Sequence, residues 1–261
     1  MVIRPLLDSD DPYPAFAEAF GDYVVKLSPS REQLTEMLTR RGYAAAASIG
    51  AFEDERMVAF TLNGIDGAAA YDTGTGVVPS HRRRGLGLAV MQASIDRLRE
   101  LGFRRYLLEV IESNHVAEAL YRGLGFRETR RFDCWRYSWS GGEDAPAPAA
   151  APLPRAAFDV EPSWQSSDAS IARAREPHVT LGDARGFAVV FPGSGDLAQL
   201  FVDRAHRRRG LGTRLLRQAA SAAGKPLRIL NVDDRDAGIA AFLAHNGAER
   251  FIRQIEMELS L

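Results

Sequence analysis

The heptapeptide HRRRGLG occurs twice, as His81–Gly87 and as His206–Gly212, 125 positions apart in a chain of 261 residues. Two glycines separated by one residue let a backbone turn tightly and come close to a ligand. Where such a turn follows a strand and opens a helix, unpaired N–H groups point outward beside the positive end of the helix dipole. That is chemistry for a pyrophosphate, to which arginines can add charge-assisted hydrogen bonds. A solvated arginine-rich face is the competing reading of the motif alone. No GK[ST] follows, which excludes a Walker P-loop, and the third glycine of a Rossmann fingerprint is missing.

The surrounding pattern supplies the elements that must position such a loop. AASIGAFEDE, RMVAFTLNGI and AAAYDTGTGVV carry β-branched and aromatic residues between turn-formers and are expected to be strands. After the first motif, Leu88, Met91, Ile95 and Leu98 recur at helical spacing, with Gly102 as the C-cap. RYLLEVI then reads as a strand, and a second helix runs toward Leu124 and stops at Gly125. The second copy repeats this order. GFAVVFP and DLAQLFV are expected strands, and Leu211, Leu215, Leu216 and Ala219 mark a helix capped by Gly224. LRILNV is the next strand, and a helix with Ile239, Phe242 and Leu243 ends at Gly247.

Ahead of the first motif lies an amphipathic segment with Phe16, Phe20, Tyr23 and Val24. A second helix is expected from Ser30, where Ser30 and Gln33 have capping-box spacing. The second half has room only for a remnant of this pair, around Ser166–Ala174. A Pro/Ala-rich stretch, GGEDAPAPAAAPLP from Gly141 to Pro154, cannot pack a core and divides the halves. The expected organisation is a domain over residues 1–140, a linker over 141–156 and a shorter domain over 157–261.

Composition narrows the function. With 46% hydrophobic residues the chain can build real cores, and a net charge of −1 gives no basic footprint for nucleic acid or membrane. One cysteine, Cys134, forbids an internal disulfide, and no Cys/His spacing resembles a metal site. The N-terminal MVIRPLLDSDDPYP has no apolar core of signal-peptide length, and no run approaches a membrane span. A cytoplasmic protein is the expectation.

Arg82-Arg83-Arg84-Gly85-Leu86-Gly87 resembles the Q/R-x-x-G-x-G/A signature of the GCN5-related N-acetyltransferase (GNAT) superfamily, which binds the acetyl-CoA pyrophosphate there. The strand–motif–helix–strand–helix order is similar in both halves. The resemblance implies an α/β fold of two tandem GNAT-type domains, each a mixed, mainly antiparallel sheet flanked by helices, the second truncated. It implies acetyl-CoA as acyl donor, held by Arg82, Arg83, Arg84, Gly85, Leu86, Gly87 and Leu88. The backbone of Val77 and Val78 would pair with the pantetheine arm, and Asn114 would lie near it. Arg207, Gly210 and Gly212 are the corresponding residues of the second motif.

Leu108–Phe126 is similar to the ribosomal-protein N-terminal acetyltransferase branch, in which a strand glutamate and a helix tyrosine stand twelve residues apart, as Glu109 and Tyr121 do. An amine acceptor with a pKa near ~10 must lose a proton before attacking a thioester, and Glu109 is the candidate base. A departing thiolate, with a thiol pKa near ~8.5, gains from a proton donor, and Tyr121 is the candidate acid. Asp72 and Glu112 are reserve bases, and none of the five histidines is assigned to catalysis.

Aligning Gly247 with Gly125 puts Asn231 at position 109, Asp236 at 114 and Leu243 at 121. The second half is therefore expected to keep the loop and lose proton transfer. The expected enzyme acetylates a primary amine on a small molecule in one direct step, with a protein N-terminus as the other acceptor class. Asp8, Asp10, Asp11, Glu18 and Asp22 would favour a cationic amine, or form a solvated acidic face. A non-catalytic acyl-CoA sensor or scaffold is the alternative, and the chain is expected to be a monomer or homodimer.

Overall fold

The computed structural model describes residues 1–21, 29–139, 141 and 158–261. Tyr23, Val24, Asp22 and nearly all of the Pro/Ala-rich stretch therefore lie outside the described residues. The chain forms two compact units: Met1–Thr129 with Ala172–Arg175 and Glu256–Leu261, and Arg130–Ile171 with Glu176–Ile255. The last residues of the chain thus belong to the first unit.

In the first unit the strands are β1 (Val2–Pro5), β2 (Ile49–Glu53), β3 (Arg56–Asp66), β4 (Ala69–Val77) and β5 (Arg105–Ile111), side by side in that order. The first four pair antiparallel, while β4 and β5 are parallel. Next to β5 the chain terminus is fixed by Leu261 N–H donating to Arg104 O at 3.0 Å and by a 2.6 Å Arg105–Glu258 ion pair. The helices are α1 (Tyr13–Phe20), α2 (Arg31–Arg41), α3 (Leu86–Glu100) and α4 (His115–Gly123). Strand β6 (Arg127–Tyr137) leads on into the second unit.

Local chemistry accounts for these elements. Ser30 and Gln33 form the expected capping box, and Gly42 closes α2 in the left-handed region. Phe16 and Phe20 of α1 meet Phe60 of β3, and Gly74 and Gly76 of β4 leave room for these rings. On α3 the buried residues are Leu86, Val90, Met91, Ser94, Ile95 and Leu98, whereas Leu88 is 51% exposed. Met91, Ile95 and Leu98 thus form the expected apolar face, and only Leu88 departs from it, in the first turn where the helix emerges from the glycine loop.

Gly64 has a constraint of its own. A Cβ there would lie 2.0 Å from the Arg41 carbonyl oxygen, because α2 ends directly over β3. Gly64→Ala is expected to destabilise the protein by about 3 kcal/mol, the upper end for overpacking, since backbone must move. A lowered denaturation midpoint with unchanged m-value would record it, and an unchanged midpoint would contradict the close approach.

The second unit places β6 beside β10 (Leu227–Asp233), then β9 (Asp196–Val202), β8 (Gly186–Phe191) and β7 (Val179–Asp183). Its helices are α5 (Asp168–Arg173), α6 (Leu211–Ala223) and α7 (Ala237–His245), and β11 (Glu249–Ser260) completes the chain. Leu215, Leu216 and Ala219 are fully buried, as expected, against Val190, Leu197 and Leu227. Six-residue α5 stands where the first unit has the α1–α2 pair. The fold is mixed α/β in both units, with mainly antiparallel sheets flanked by helices.

Candidate active site

The site of the first unit begins where β4 and β5 part. Their ladder runs only from Ala69↔Arg105 to Tyr71↔Leu107, while β4 continues to Val77 and β5 to Ile111. A bulge interrupts β4 at Thr73, where the register with β3 shifts between Leu62 and Asn63. Bulges redirect side chains and end pairing, and here the bulge lies beside the parting strands.

The glycine loop follows β4 as expected. Arg83 and Gly85 have φ of 61° and 77°, and Gly85 opens α3 with no side-chain cap. The first N–H groups of α3 therefore lack side-chain acceptors, which suits a bound pyrophosphate. A Cβ on Gly87 would face Val77 and Leu120 at ordinary contact distance. Arg82 also braces the loop. Its guanidinium donates to the carbonyls of Val77, at 3.2 Å, and Ala19, at 2.9 Å, fastening the loop to β4 and α1. Arg83 and Arg84 are exposed beside it.

Val78 is not available to a pantetheine arm. Its N–H donates to Val58 O at 3.0 Å and its carbonyl accepts from His81 N at 2.9 Å. By the alternation of an antiparallel ladder, Val77 and Thr75 turn their peptide groups to the other edge, toward the parted strands. Asn114 caps α4, its Oδ1 accepting from Ala117 N at 3.2 Å. His81 braces the loop from behind, 2.9 Å from Glu53 and 2.8 Å from Ser80.

Glu109 lies within β5, two residues beyond the last pairing with β4. Alternation puts it on the face of Leu107 and Ile111. The Tyr71 hydroxyl hydrogen-bonds to it, and burial, followed by the charge of Glu109, pushes the Tyr71 phenol well above its ordinary range. Arg41 stands nearby, its charge 6.0 Å from the Tyr71 ring and its Nη1 donating to Thr73 O at 3.0 Å. Neither Tyr71 nor Arg41 was singled out from sequence. The polar run Tyr71-Asp72-Thr73 inside a buried strand was the available signal for the first, and nothing local marked the second.

Tyr121 belongs to the opposite face. Its ring is edge-on to Phe126, 5.9 Å between centroids, and Phe126 lies 5.4 Å from Tyr106. Tyr106 in turn donates to Asn63 at 2.7 Å on the α3 side. Glu109 and Tyr121 thus flank the parted strands from two sides. A thioester threaded between β4 and β5 would meet a base on one face and an acid on the other. Glu112 sits in the turn after β5.

Asp72, the other reserve base, is buried on the α3 face beside the bulge. It accepts from Gly74 N at 2.9 Å and from Thr75 Oγ1 at 2.8 Å, yet burial raises its pKa to about 6. Its folded pKa exceeds its unfolded value, so the fold is penalised as pH rises from the ordinary carboxylate range through about 6. Asp72→Asn is therefore expected to stabilise the protein at pH 8 by on the order of 2 kcal/mol and to change little at pH 4. Equal effects at both pH values, measured by urea denaturation, would contradict the raised pKa.

Three of the acidic residues read as an amine attractant are already paired. Asp10 bonds Arg4 at 2.7 Å, Asp11 bonds Arg31 at 2.7 Å and Glu18 bonds Arg56 at 2.6 Å. They neutralise arginines rather than present open charge, and Asp22 lies outside the described residues.

The second unit preserves the loop and the elements around it but not the residues at the Glu109 and Tyr121 positions. Arg208 and Gly210 have φ of 60° and 81°, and Arg207 Nε donates to Val202 O at 2.8 Å, as in the first copy. Strand β10 and helix α7 match β5 and α4 residue for residue at an offset of 122, three fewer than the 125 between the motifs, so a three-residue gap falls at the end of α6. Asn231 takes the place of Glu109. It is buried at φ 57° and hydrogen-bonds Gln254 at 3.0 Å and the Cys134 thiol at 3.5 Å. Leu243, in the place of Tyr121, is fully buried. Asp236 caps α7 as Asn114 caps α4.

Residues 11–126 match the model of the acetyltransferase (GNAT) family, and residues 171–253 match that of an acetyltransferase (GNAT) domain. The chain belongs to the GNAT acetyltransferase family. It is a tandem member. A [ribosomal protein bS18]-alanine N-acetyltransferase of Salmonella typhimurium is 37% identical over 94 residues, covering 35% of this chain and 62% of that protein. A mycothiol acetyltransferase of Clavibacter sepedonicus is 32% identical over 122 residues, covering 46% of this chain and 40% of that protein. The chain thus spans less than two thirds of either relative. A tandem GNAT protein from the clavulanic acid biosynthesis pathway shares the fold along 99% of this chain and 98% of its own, with a TM-score of 0.63 at 16% identity.

The GNAT family uses acetyl-CoA, and the uncapped start of α3 and the parted β4–β5 pair fit a pyrophosphate and a pantetheine arm. Among the described residues no helix is long and apolar enough to cross a membrane, and no cluster of His, Cys, Asp or Glu is placed to hold a metal.

Proposed function

We propose that the first unit transfers an acetyl group from acetyl-CoA to a primary amine by direct attack. Bound at the loop Arg82–Leu88, acetyl-CoA supplies the thioester carbonyl. Glu109 takes the amine proton, directly or through water, as the nitrogen–carbon bond forms. The carbon–sulfur bond then breaks, and Tyr121 gives a proton to the departing thiolate. The observation that carries this reading is the position of Glu109 and Tyr121 on the two faces of the sheet at the point where β4 and β5 separate. Asn231 and Leu243 supply neither proton-transfer group, so the second unit has no part in the chemistry in this reading.

The acceptor in this reading is a small molecule, supported by the similarity to a mycothiol acetyltransferase. Similarity to a ribosomal-protein alanine N-acetyltransferase favours a second reading, a protein N-terminal amine. Both are tested by following thiol release from acetyl-CoA with pooled small amines and with peptides of free N-terminus. Release with small amines alone supports the first reading, and release with peptides alone supports the second. No release from any pool would remove both and leave the acyl-CoA sensor.

A further inference from the structure

We infer that the first unit carries a second binding site, separate from the glycine loop, for a small anion bearing a carboxylate or phosphate group. The site is a groove of about 610 Å³ between the start of α1, one side of α2 and the run Ala172–Arg175. That volume falls within the range of small-molecule sites.

Three arginines line the groove: Arg31, Arg173 and Arg175. Arg31 is satisfied, holding both oxygens of Asp11 at 2.7 Å and stacking over Tyr13. The other two are not. Arg173 donates through Nε to Arg40 O at 3.3 Å, and its Nη1 is 3.9 Å from Asp66. Its Nη2 is buried with no hydrogen-bond partner among the described residues. Arg175 uses only its main-chain N–H, which donates to Glu36 at 2.8 Å, and its exposed guanidinium has no ion-pair partner among the described residues.

A buried guanidinium N–H without an acceptor carries its full desolvation cost, and native structures rarely leave one so. An oxyanion seated between Arg173 and Arg175 supplies the missing acceptor, and guanidinium forks suit carboxylate and phosphate geometry. Thr39, on the α2 wall, offers a hydroxyl to a remaining oxygen, while Thr35 Oγ1 already donates to Arg31 O at 2.9 Å. Asp11, already held by Arg31, is the one carboxylate among the lining residues, so the groove is net positive.

This is not the pyrophosphate position. The groove reaches the sheet at Ile65, which pairs with Ala70 at the start of β4, whereas the glycine loop follows Val77 at the other end. At about 3.3 Å per strand residue, the two positions are roughly 20 Å apart. The inference therefore stands whether or not the proposed acetyl transfer is correct.

The test titrates the full chain with inorganic phosphate and, separately, with succinate, following arginine Nε–Hε NMR signals and calorimetric heat. Saturable binding of either probe, with two arginine signals shifted and those signals absent in Arg173→Gln and Arg175→Gln, is the expected result. Arg175→Gln is expected to weaken binding about tenfold. Its guanidinium makes no hydrogen bond or ion pair among the described residues, so it keeps the test valid if Arg173→Gln fails to fold. Preference for phosphate or for succinate identifies the anion class. No saturable binding of either probe, or binding unchanged by Arg175→Gln, would overturn the inference.

Discussion

Glu109→Gln is expected to lower kcat at neutral pH by about 10²–10⁴-fold, the usual worth of a positioned general base. Gln keeps the volume of Glu and can still accept from the Tyr71 hydroxyl, so folding should be nearly unchanged and the loss should fall on chemistry. Wild-type turnover should rise with pH as the base ionises, and the variant should lack that limb. The comparison that gives this force is Asp72→Asn. Both carboxylates are near the parting of β4 and β5, but they lie on opposite faces, Glu109 with Tyr71 and Arg41, Asp72 with Thr75 and the α3 side. If Asp72 were the base, its pKa near 6 would serve a proton acceptor at neutral pH well. Asp72→Asn would then abolish turnover while Glu109→Gln spared it. The expected pattern is the reverse: Asp72→Asn gains stability above pH 6 and retains most of its rate.

How far the sequence alone reached is best judged element by element. RYLLEVI was legible to the residue, because a buried parallel strand is an apolar run bounded by turn signals. The two glycine loops were equally legible, since a left-handed residue opening a helix demands glycine at that position. β1, β6, β7 and β11 were not anticipated. β6 carries RETRRFDCWRY and β11 carries ERFIRQIEMELS, where arginine and glutamate interrupt the alternation a strand reader needs. Their charges are absorbed by tertiary partners invisible to a local pattern, such as Asp133 with Arg250 and Arg253. Within the site, residue types and spacing were readable, but faces were not. Whether Glu109 and Tyr121 touch, or stand on two sides of a sheet, depends on strand register and on where a ladder stops. Register also decided Val78, whose peptide groups the β3 pairing and the following turn consume.

The duplicated motif shows what each part of the fold requires. Loop geometry is a local property of seven residues, and both copies retain it within a few degrees in φ. In the proposed reading proton transfer requires side chains from a strand and a helix to meet a substrate, and Asn231 and Leu243 lack it while the fold is kept. In the second unit the cap at Asp236 and the core position at Leu243 keep structural duties that their counterparts share. On that reading a repeat loses its chemistry one side chain at a time while each backbone element stays in register.

Tyr121→Phe is the second large effect. The substitution removes one hydroxyl and leaves the ring packed on Phe126, so stability should change by about 1 kcal/mol or less. kcat is expected to fall by about 10²-fold, the lower end for acid–base groups, because the leaving thiolate is intrinsically good. The reason is a comparison of affinities for protons. A CoA thiol at ~8.5 is more acidic than the ~10 of an amine, so the tetrahedral intermediate expels sulfur once the nitrogen has lost its proton. Protonation by Tyr121 assists that step without being indispensable to it. The deficit should accordingly narrow above pH ~9, where the free thiolate is the stable species. Glu109→Gln should show no such recovery, since its defect precedes bond formation. A Tyr121→Phe enzyme with unchanged kcat across this range would mean that the thiolate leaves unprotonated. Tyr121 would then be a core aromatic, and the difference between the two units would rest on Glu109 and Asn231 alone.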